Sequence, residues 1–493
     1  MKRLLRMLLS RTFLIMILLL AQIVLILLFI EYIAQFRYFN IIFYGISVAI
    51  VIYLIYKEEN PAYKLSWIIP ILLFPIFGGI FYLVYRQQNT SKKILRRRTN
   101  IDLNRYDYVH MLTNPLNSKD SKYLENLNWP TYQHTKTHFL SSGEALFASM
   151  MKDFKSAQKY IFLEFFIINP GKMWDELLAV LREKVSAGVE IKIIYDDYGS
   201  SFLPYRYAKK LRSYGIETIN FNPMRMHLNF SMNYRDHRKI VVVDGKIAYT
   251  GGINISDEYI NLTHPYGHWQ DAGIRLEGDA VWSLVIGFLE NWRFSIKEDL
   301  DYEKYKVSHV MESNGYVIPF TDTPLDDERM NKNIYLSLIS QSTKSILITS
   351  PYLIIDNELM TALKYASKSG VKVKIIIPYK PDKKIVYMVT ESYVPELMEV
   401  GALVYQYKPG FIHSKMMIVD GKRALIGTAN LDFRSLYLHF ENSVYLEQCA
   451  SISDMVQFFN QIQEKSILIK NLGKRNIFYR MIQILLRGFS SLL

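Results

Sequence analysis

One constellation of residues occurs twice in this chain. His237, Lys239, Asp244, Gly251, Gly252 and Asn254 recur at identical internal spacing as His413, Lys415, Asp420, Gly427, Thr428 and Asn430. Each copy reads H-x-K, four apolar residues, D, six residues, then G-[GT]-x-N. The surroundings repeat as well. An apolar run from Tyr160 to Ile168, a helical pattern from Trp174 to Ser186, Gly188 and a strand-like Val189 to Tyr195 return as Ser345 to Ile355, Glu358 to Ser369, Gly370 and Val371 to Ile377. The strings after the two glycines, Val-Glu-Ile-Lys-Ile-Ile and Val-Lys-Val-Lys-Ile-Ile, are too close for shared propensity alone, so a domain has been duplicated. Strand, helix, strand with apolar strands predicts an α/β body of two similar lobes, each a mixed β-sheet flanked by helices.

The chain divides accordingly. Residues 1–88 read as a membrane anchor, 89–135 as a polar linker broken at Asn114-Pro115 and Trp129-Pro130, 136–305 as the first lobe, 306–470 as the second and 471–493 as an amphipathic tail. Lys and Arg outnumber Asp and Glu by 59 to 46, and the resulting +13 suits a polyanion or an anionic lipid surface without choosing between them. The single cysteine, Cys449, rules out an internal disulfide and reads as a free structural thiol.

Three apolar stretches, Phe13 to Ile30, Phe39 to Tyr56 and Leu65 to Tyr85, crowd the first ninety residues, each near the length that crosses a bilayer core. The first has no small-residue cleavage site and runs into further apolar sequence, so it reads as retained. Basic residues precede the first stretch (Lys2, Arg3, Arg6, Arg11) and follow the third (Arg86, Lys92, Lys93, Arg96 to Arg98), which predicts a multi-pass protein whose large domain faces the cytoplasm. Both ends on one side require an even number of crossings, while three spans are visible, so the parity stays open. In the tail, Phe478, Met481, Ile482, Ile484, Leu485, Phe489 and Leu492 gather on one side of a helix, with Lys474, Arg475, Arg480 and Arg487 close by. Two readings stand for it: a helix on the membrane surface, or a helix packed on the body.

Each H-x-K opens an apolar run, Ile240 to Val243 or Met416 to Val419, so the motif begins a strand. Residues two apart on a strand share a face, which brings an imidazole and an ammonium to one anion site. Asp244-Gly245 and Asp420-Gly421 then look like tight hairpin turns. The returning strands end in Gly251-Gly252-Ile253-Asn254 and Gly427-Thr428-Ala429-Asn430. Small residues at Gly252 and Thr428 and the amides of Asn254 and Asn430 read as the floor of a shared phosphate site.

These residues resemble the phospholipase D superfamily, whose signature is this H-x-K with its downstream G-x-N string, once per lobe. Local strings carry the likeness closer to the bacterial cardiolipin synthase branch: Asn60-Pro61 to Arg86, Tyr195 to Ser200, Asn233 to Lys239, Trp269 to Gly278, Ser350-Pro351-Tyr352 and Asn430 to Ser435. The resemblance implies a membrane phosphatidyltransferase that joins two phosphatidylglycerol molecules into cardiolipin and glycerol through a phosphohistidine, with His237 as nucleophile and His413 as general acid and base. Near two-fold symmetry leaves the reverse assignment open. Lys239, Lys415, Asn254 and Asn430 are expected to hold the phosphate oxygens. Asp271 and Glu441, some thirty positions after each His, match the acidic orienters of the family, and the motif aspartates Asp244 and Asp420 complete the candidate catalytic set while reading more as hairpin braces. Asp236 and His439 depart from the branch, which usually has Asn at both places. Asp236 is expected to add negative charge beside an anionic substrate.

No metal and no cofactor are expected, since the chain has no H-E-x-x-H and no Cys-His cluster. The expected partners are phosphatidylglycerol, other phospholipids and a bacterial cell membrane, with no nucleic acid and an unspecified oligomeric state. The alternative is hydrolysis by the same site, of phospholipids or of nucleic-acid phosphodiesters. A non-catalytic scaffold needs neither spacing nor identity at His and Lys in both copies, which argues against it.

Overall fold

A computed structural model describes residues 20, 24–25, 27–28, 31–32, 37–75, 78–79, 82, 118–223, 234–296, 300–471 and 476–492. The first lobe contributes strands β1 (Thr135–Leu140), β2 (Tyr160–Phe165), β3 (Glu190–Asp196), β4 (Glu217–Phe221), β5 (Arg235–Asp236), β6 (Lys239–Val243), β7 (Ile247–Gly251), β8 (His268–Gln270) and β9 (Gly273–Gly278). The second contributes β10 (Tyr316–Asp322), β11 (Ser345–Thr349), β12 (Leu353–Ile354), β13 (Lys372–Pro378), β14 (Leu403–Tyr407), β15 (Gly410–Ile412), β16 (Met416–Val419), β17 (Arg423–Gly427), β18 (Leu431–Asp432), β19 (His439–Glu447) and β20 (Ser466–Leu468).

The main sheet of the first lobe is ordered β1-β9-β7-β6-β2-β3-β4, and that of the second β10-β19-β17-β16-β11-β13-β14-β20. Position for position the orders correspond, with β20 added at one edge. In both, the three strands that carry the strand-helix-strand repeat pair in parallel and the rest antiparallel. Both are mixed sheets, as the duplicated pattern predicts. Helices cover them: β2, β6 and β16 are buried throughout and β11 from Ile346 onward, which is why they read as largely apolar runs rather than as alternating ones.

The lobes share one core. The helix Val281–Ile296 is buried from Val281 to Trp292 because it packs both on its own sheet and against β10 of the other lobe, and a helix enclosed on all sides is apolar nearly all round. The helix Ser451–Glu464 does the reverse: Phe458 lies 5.3 Å from Phe139 of β1, and Ser451 accepts a hydrogen bond from Thr137. The division at 305/306 is therefore one of topology, not of packing.

The linker expectation fails at its second end. Residues 118–135 contain a helix, Lys119–Asn126, with a Ser118 capping box, and Leu124, Trp129 and Tyr132 are almost completely buried. Polar residues on the outer side of a short helix hid an apolar inner one. Residues 89–117 lie outside the described residues.

Both chain ends meet on the second lobe. The second apolar stretch forms the helix Arg37–Tyr56, and the third begins with Pro61–Leu73, capped by Asn60. Most of the first stretch lies outside the described residues. Asn60 also donates to the Tyr437 hydroxyl (3.0 Å), and Ser66 donates to Gly488 O (3.0 Å) beside Ser491. Among the described residues no helix is long and apolar enough to cross a membrane. The helix Ile477–Gly488 packs on the body, with Gln483 and Arg487 hydrogen-bonding the helix Lys384–Met398, while Ile477, Phe478, Met481, Ile482, Ile484 and Leu485 stay exposed.

Candidate active site

The hairpin turns form as their residues require. Asp244 and Gly245 have φ of 53° and 67°, and Asp420 and Gly421 have 55° and 65°, so both central residues of each turn are left-handed. Asp244 accepts backbone N–H groups of Gln158, Lys159 and Tyr160, and Asp420 those of Thr343, Lys344 and Ser345. They stand at the opposite ends of β6 and β16 from the imidazoles and lash the hairpin to the start of β2 or β11. Both therefore leave the candidate catalytic set, because the length of a strand, five residues of β6 or four of β16, separates each from its histidine.

The two imidazoles are brought together by an exchange between lobes. β5, just before His237, pairs in parallel with the start of β19, and β15, just before His413, pairs in parallel with β8. His237 N donates to Phe440 O (2.9 Å) and His413 N to Gln270 O (2.7 Å). The next residue on each opposing strand is the acid. His237 Nδ1 lies 2.9 and 3.0 Å from the Glu441 carboxylate oxygens, and His413 Nδ1 lies 2.7 Å from Asp271 Oδ2. The pairing is crossed: the acid that follows each histidine in sequence meets the histidine of the other lobe. Both rings are only 7 % exposed and both carboxylates are buried. With Nδ1 of each ring committed to a carboxylate, Nε2 is the atom left for chemistry.

The ammonium groups sit beneath the rings, Lys239 donating to His237 O (2.6 Å) and Lys415 to His413 O. Burial pushes Lys239 down to about 8 and Lys415 down to about 7, and the Lys239 charge adds to the lowering at Lys415. Two buried cations in one cleft are relieved by an anion between them. Burial also drives the imidazoles down, His413 to about 4 with Lys415 beside it, and His237 well below the ordinary range. The carboxylates stay ionised. Asp271 and Glu441 are each lowered against the pull of burial by their imidazole and its hydrogen bond.

The expected phosphate floor is only partly realised. Gly252 N donates to Ala272 O and Thr428 N to Asn442 O, while the Thr428 hydroxyl donates to the Glu441 carboxylate. The N–H groups of Gly252 and Thr428 and the Thr428 hydroxyl thus support the acidic strands. A Cβ at Gly252 would overlap Asp271 Oδ1, so glycine is required there. The Asn254 amide accepts from Ile167 N and donates to the Tyr259 hydroxyl. Asn430 Oδ1 is buried without a hydrogen-bond partner among the described residues, so that amide is the less committed of the two.

Several contributors were not legible in the motif. Asn442 accepts from Lys239 N and donates to Thr250, tying the lobes together directly under the site. Tyr259, Trp269 and Phe411 surround the His413 ring at 5.4, 5.0 and 5.9 Å, whereas His237 faces Phe166 at 5.1 Å and His439 at 5.5 Å. Asp236 is fully buried, accepts from Asn291 (2.9 Å) and abuts Glu164. Burial raises both acids, Glu164 further by the Asp236 charge, so the pair favours holding a proton and the charge expected beside the substrate is turned inward and damped. Among the described residues one group, His237, His439 and Glu441, offers metal-ligating atoms within 4.8 Å of one another.

Residues 150–266 and 335–463 match the family described as cardiolipin synthase, PLD-like domain, and residues 45–87 match a phospholipase D-nuclease N-terminal segment. The chain belongs to the cardiolipin synthase family. It is 36 % identical to an uncharacterized protein of Streptococcus mutans over 90 % of this chain and 99 % of that one. It is 33 % identical to a cardiolipin synthase of Halalkalibacterium halodurans, with 91 % and 92 % covered. A phosphatidylserine synthase from Haemophilus influenzae shares the fold, at a TM-score of 0.58 and 16 % identity over 76 % of this chain and 98 % of that one. In this cardiolipin synthase family member, the two H-x-K hairpins lie in the two matched blocks, one in each.

Proposed function

We propose that the protein is a membrane phosphatidyltransferase that converts two phosphatidylglycerol molecules into cardiolipin and glycerol. The observation that carries this is the crossed pair of buried imidazoles, each held at Nδ1 by a carboxylate, over two buried ammonium groups. In the proposed route His237 Nε2 attacks the phosphorus of the first lipid, the bond to its headgroup glycerol breaks, and His413 delivers its proton to the departing alkoxide. The hydroxyl of the second lipid then gives its proton to His413 and attacks the same phosphorus, releasing His237. Lys239, Lys415 and the amides of Asn254 and Asn430 stabilise the phosphoryl oxygens as charge develops. An empty, buried His413 favours the neutral ring, and the negative charge of a bound phosphodiester acts in the opposite sense, so substrate binding itself loads the general acid.

Membrane residence is supported by the exposed apolar side chains of both chain ends. Ile41, Ile42, Ile52, Ile55, Leu65, Leu72 and Leu73 of the N-terminal helices and the six of the tail form far more exposed apolar surface than isolated side chains do. We read the protein as multi-pass, with the lobes in the cytoplasm and phospholipids, not nucleic acid, as substrates.

Incubating the protein with labelled phosphatidylglycerol in detergent micelles and separating the products tests the reading. Cardiolipin with equimolar glycerol is expected; phosphatidic acid as the sole product means that water is the acceptor and assigns a hydrolase. Peptide mapping of the label after acid-free quenching is expected to find it on His237, and label on His413 reverses the two roles.

A further inference from the structure

His439 stands where the resembling branch usually has Asn, and the reaction outlined above does not use it. Its Nδ1 is buried without a hydrogen-bond partner among the described residues, although nearly all buried polar atoms find one. That atom lies 3.8 Å from Glu441 Oε1, which in turn is 2.9 Å from His237 Nδ1. Ligand atoms around a tetrahedral zinc ion are separated by about 3.3 Å, given metal–ligand bonds near 2.0 to 2.1 Å. The two observed separations bracket that value, and the two-histidine, one-carboxylate set is one that zinc accepts with a fourth position open.

We infer that His237, His439 and Glu441 form a site for a divalent zinc-like cation, and that its occupation shuts the reaction off. A neutral imidazole carries one proton. While Glu441 accepts that proton from Nδ1, Nε2 keeps its lone pair. A cation that takes the Nδ1 lone pair sends the proton to Nε2, and the ring then has no electron pair to offer phosphorus. Glu441 exchanges one acceptor role for another, binding the cation through Oε1 while Oε2 keeps the Thr428 hydroxyl. The cation is an inhibitor here, not a cofactor. The two imidazole nitrogens select for a cation that binds nitrogen strongly over magnesium or calcium, whereas the charges of Lys239 and Lys415 oppose any cation alike.

The inhibition half of this inference rests on the proposed role of His237, whereas the binding half does not. Full-length protein in detergent, stripped with EDTA, is titrated with Co²⁺ by visible absorption and with Zn²⁺ by calorimetry, alongside His439→Asn. One equivalent bound with tetrahedral cobalt bands, weakened at least about tenfold in His439→Asn, is expected. Wild-type turnover should fall with Zn²⁺ over the same range, return with EDTA, and be at least about tenfold less sensitive in His439→Asn, each protein referred to its own metal-free rate. Equal affinity in the two proteins, or no stoichiometric binding by the wild type, overturns the site. Binding that follows the expected pattern without inhibition upholds the site and overturns the switch.

Discussion

His413 stands among Tyr259, Trp269 and Phe411 and leans on a short carboxylate, Asp271, whereas His237 stands beside Phe166 and a second imidazole and leans on a longer one, Glu441. The difference is compensated one residue at a time. The shorter acid reaches its ring only because Gly252 leaves the space that a Cβ would take, and it is steadied by Ala272 N and the Trp269 indole. The longer acid leaves room for Thr428, whose hydroxyl holds it. Equivalent geometry thus comes from different residues, and the two halves are free to hold their rings in different surroundings.

The largest expected effect removes either ring. His237→Ala and His413→Ala should each lower kcat by more than about 10³-fold, because the halves act as a unit and each supplies one role; residual synthesis above a few per cent in either variant breaks the division of labour. Next come the acids. Glu441→Gln and Asp271→Asn should cost about 10²- to 10⁴-fold, through loss of tautomer and orientation. Nitrogen-15 NMR of the imidazoles checks the crossing: Glu441→Gln is expected to move His237, and a shift confined to His413 contradicts it.

Exchanging the compensating residues sharpens the contrast further. Gly252→Thr should abolish activity, since its Cβ collides with Asp271, while Thr428→Gly only removes one donor from Glu441 and should cost about tenfold, near the value of one charge-assisted hydrogen bond. Comparable losses from the two would mean that the halves are not compensated in this way. A smaller effect is expected from pH. With Lys415 lowered to about 7 and Lys239 to about 8, kcat/KM should decline as pH rises through that interval and the ammonium charges are lost. Lys415→Arg should carry this limb upward, because a guanidinium stays charged; a profile flat to pH 10 contradicts the assignment. The smallest catalytic effect belongs to the motif aspartates. Asp244→Ala and Asp420→Ala should leave kcat within about threefold while lowering stability by about 1 to 3 kcal/mol, read as the midpoint of thermal inactivation.

Much of this was written in the linear order of residues, and the parts that were not have a common cause. The duplication, the strand after each H-x-K and the turn at Asp-Gly are local or periodic features, and each appears where the sequence places it, whereas the two acids were pointed to only by the family resemblance. The crossing of the acids is a register between β5 and β19 and between β8 and β15, and β5, β8 and β15, of two or three residues each, carry no periodic signal. Asp236 looked like a charge on the substrate side. Its partners, Glu164 and Asn291, lie 72 and 55 positions away, so only the packed core reveals that it faces inward. Trp129 and Tyr132 were hidden for a simpler reason, in that prolines and polar neighbours mask a short buried segment.

The exchange of strand ends between the lobes is what a symmetric pair of identical subunits would need, each presenting its histidine to the acid of its partner across a two-fold axis. Joined in one polypeptide, such a contact no longer has to be self-complementary. One side can differ from the other, as Gly252 and Thr428, Asp271 and Glu441, and His439 do, so that a quasi-two-fold interface becomes a place where a single chain acquires handedness in its chemistry.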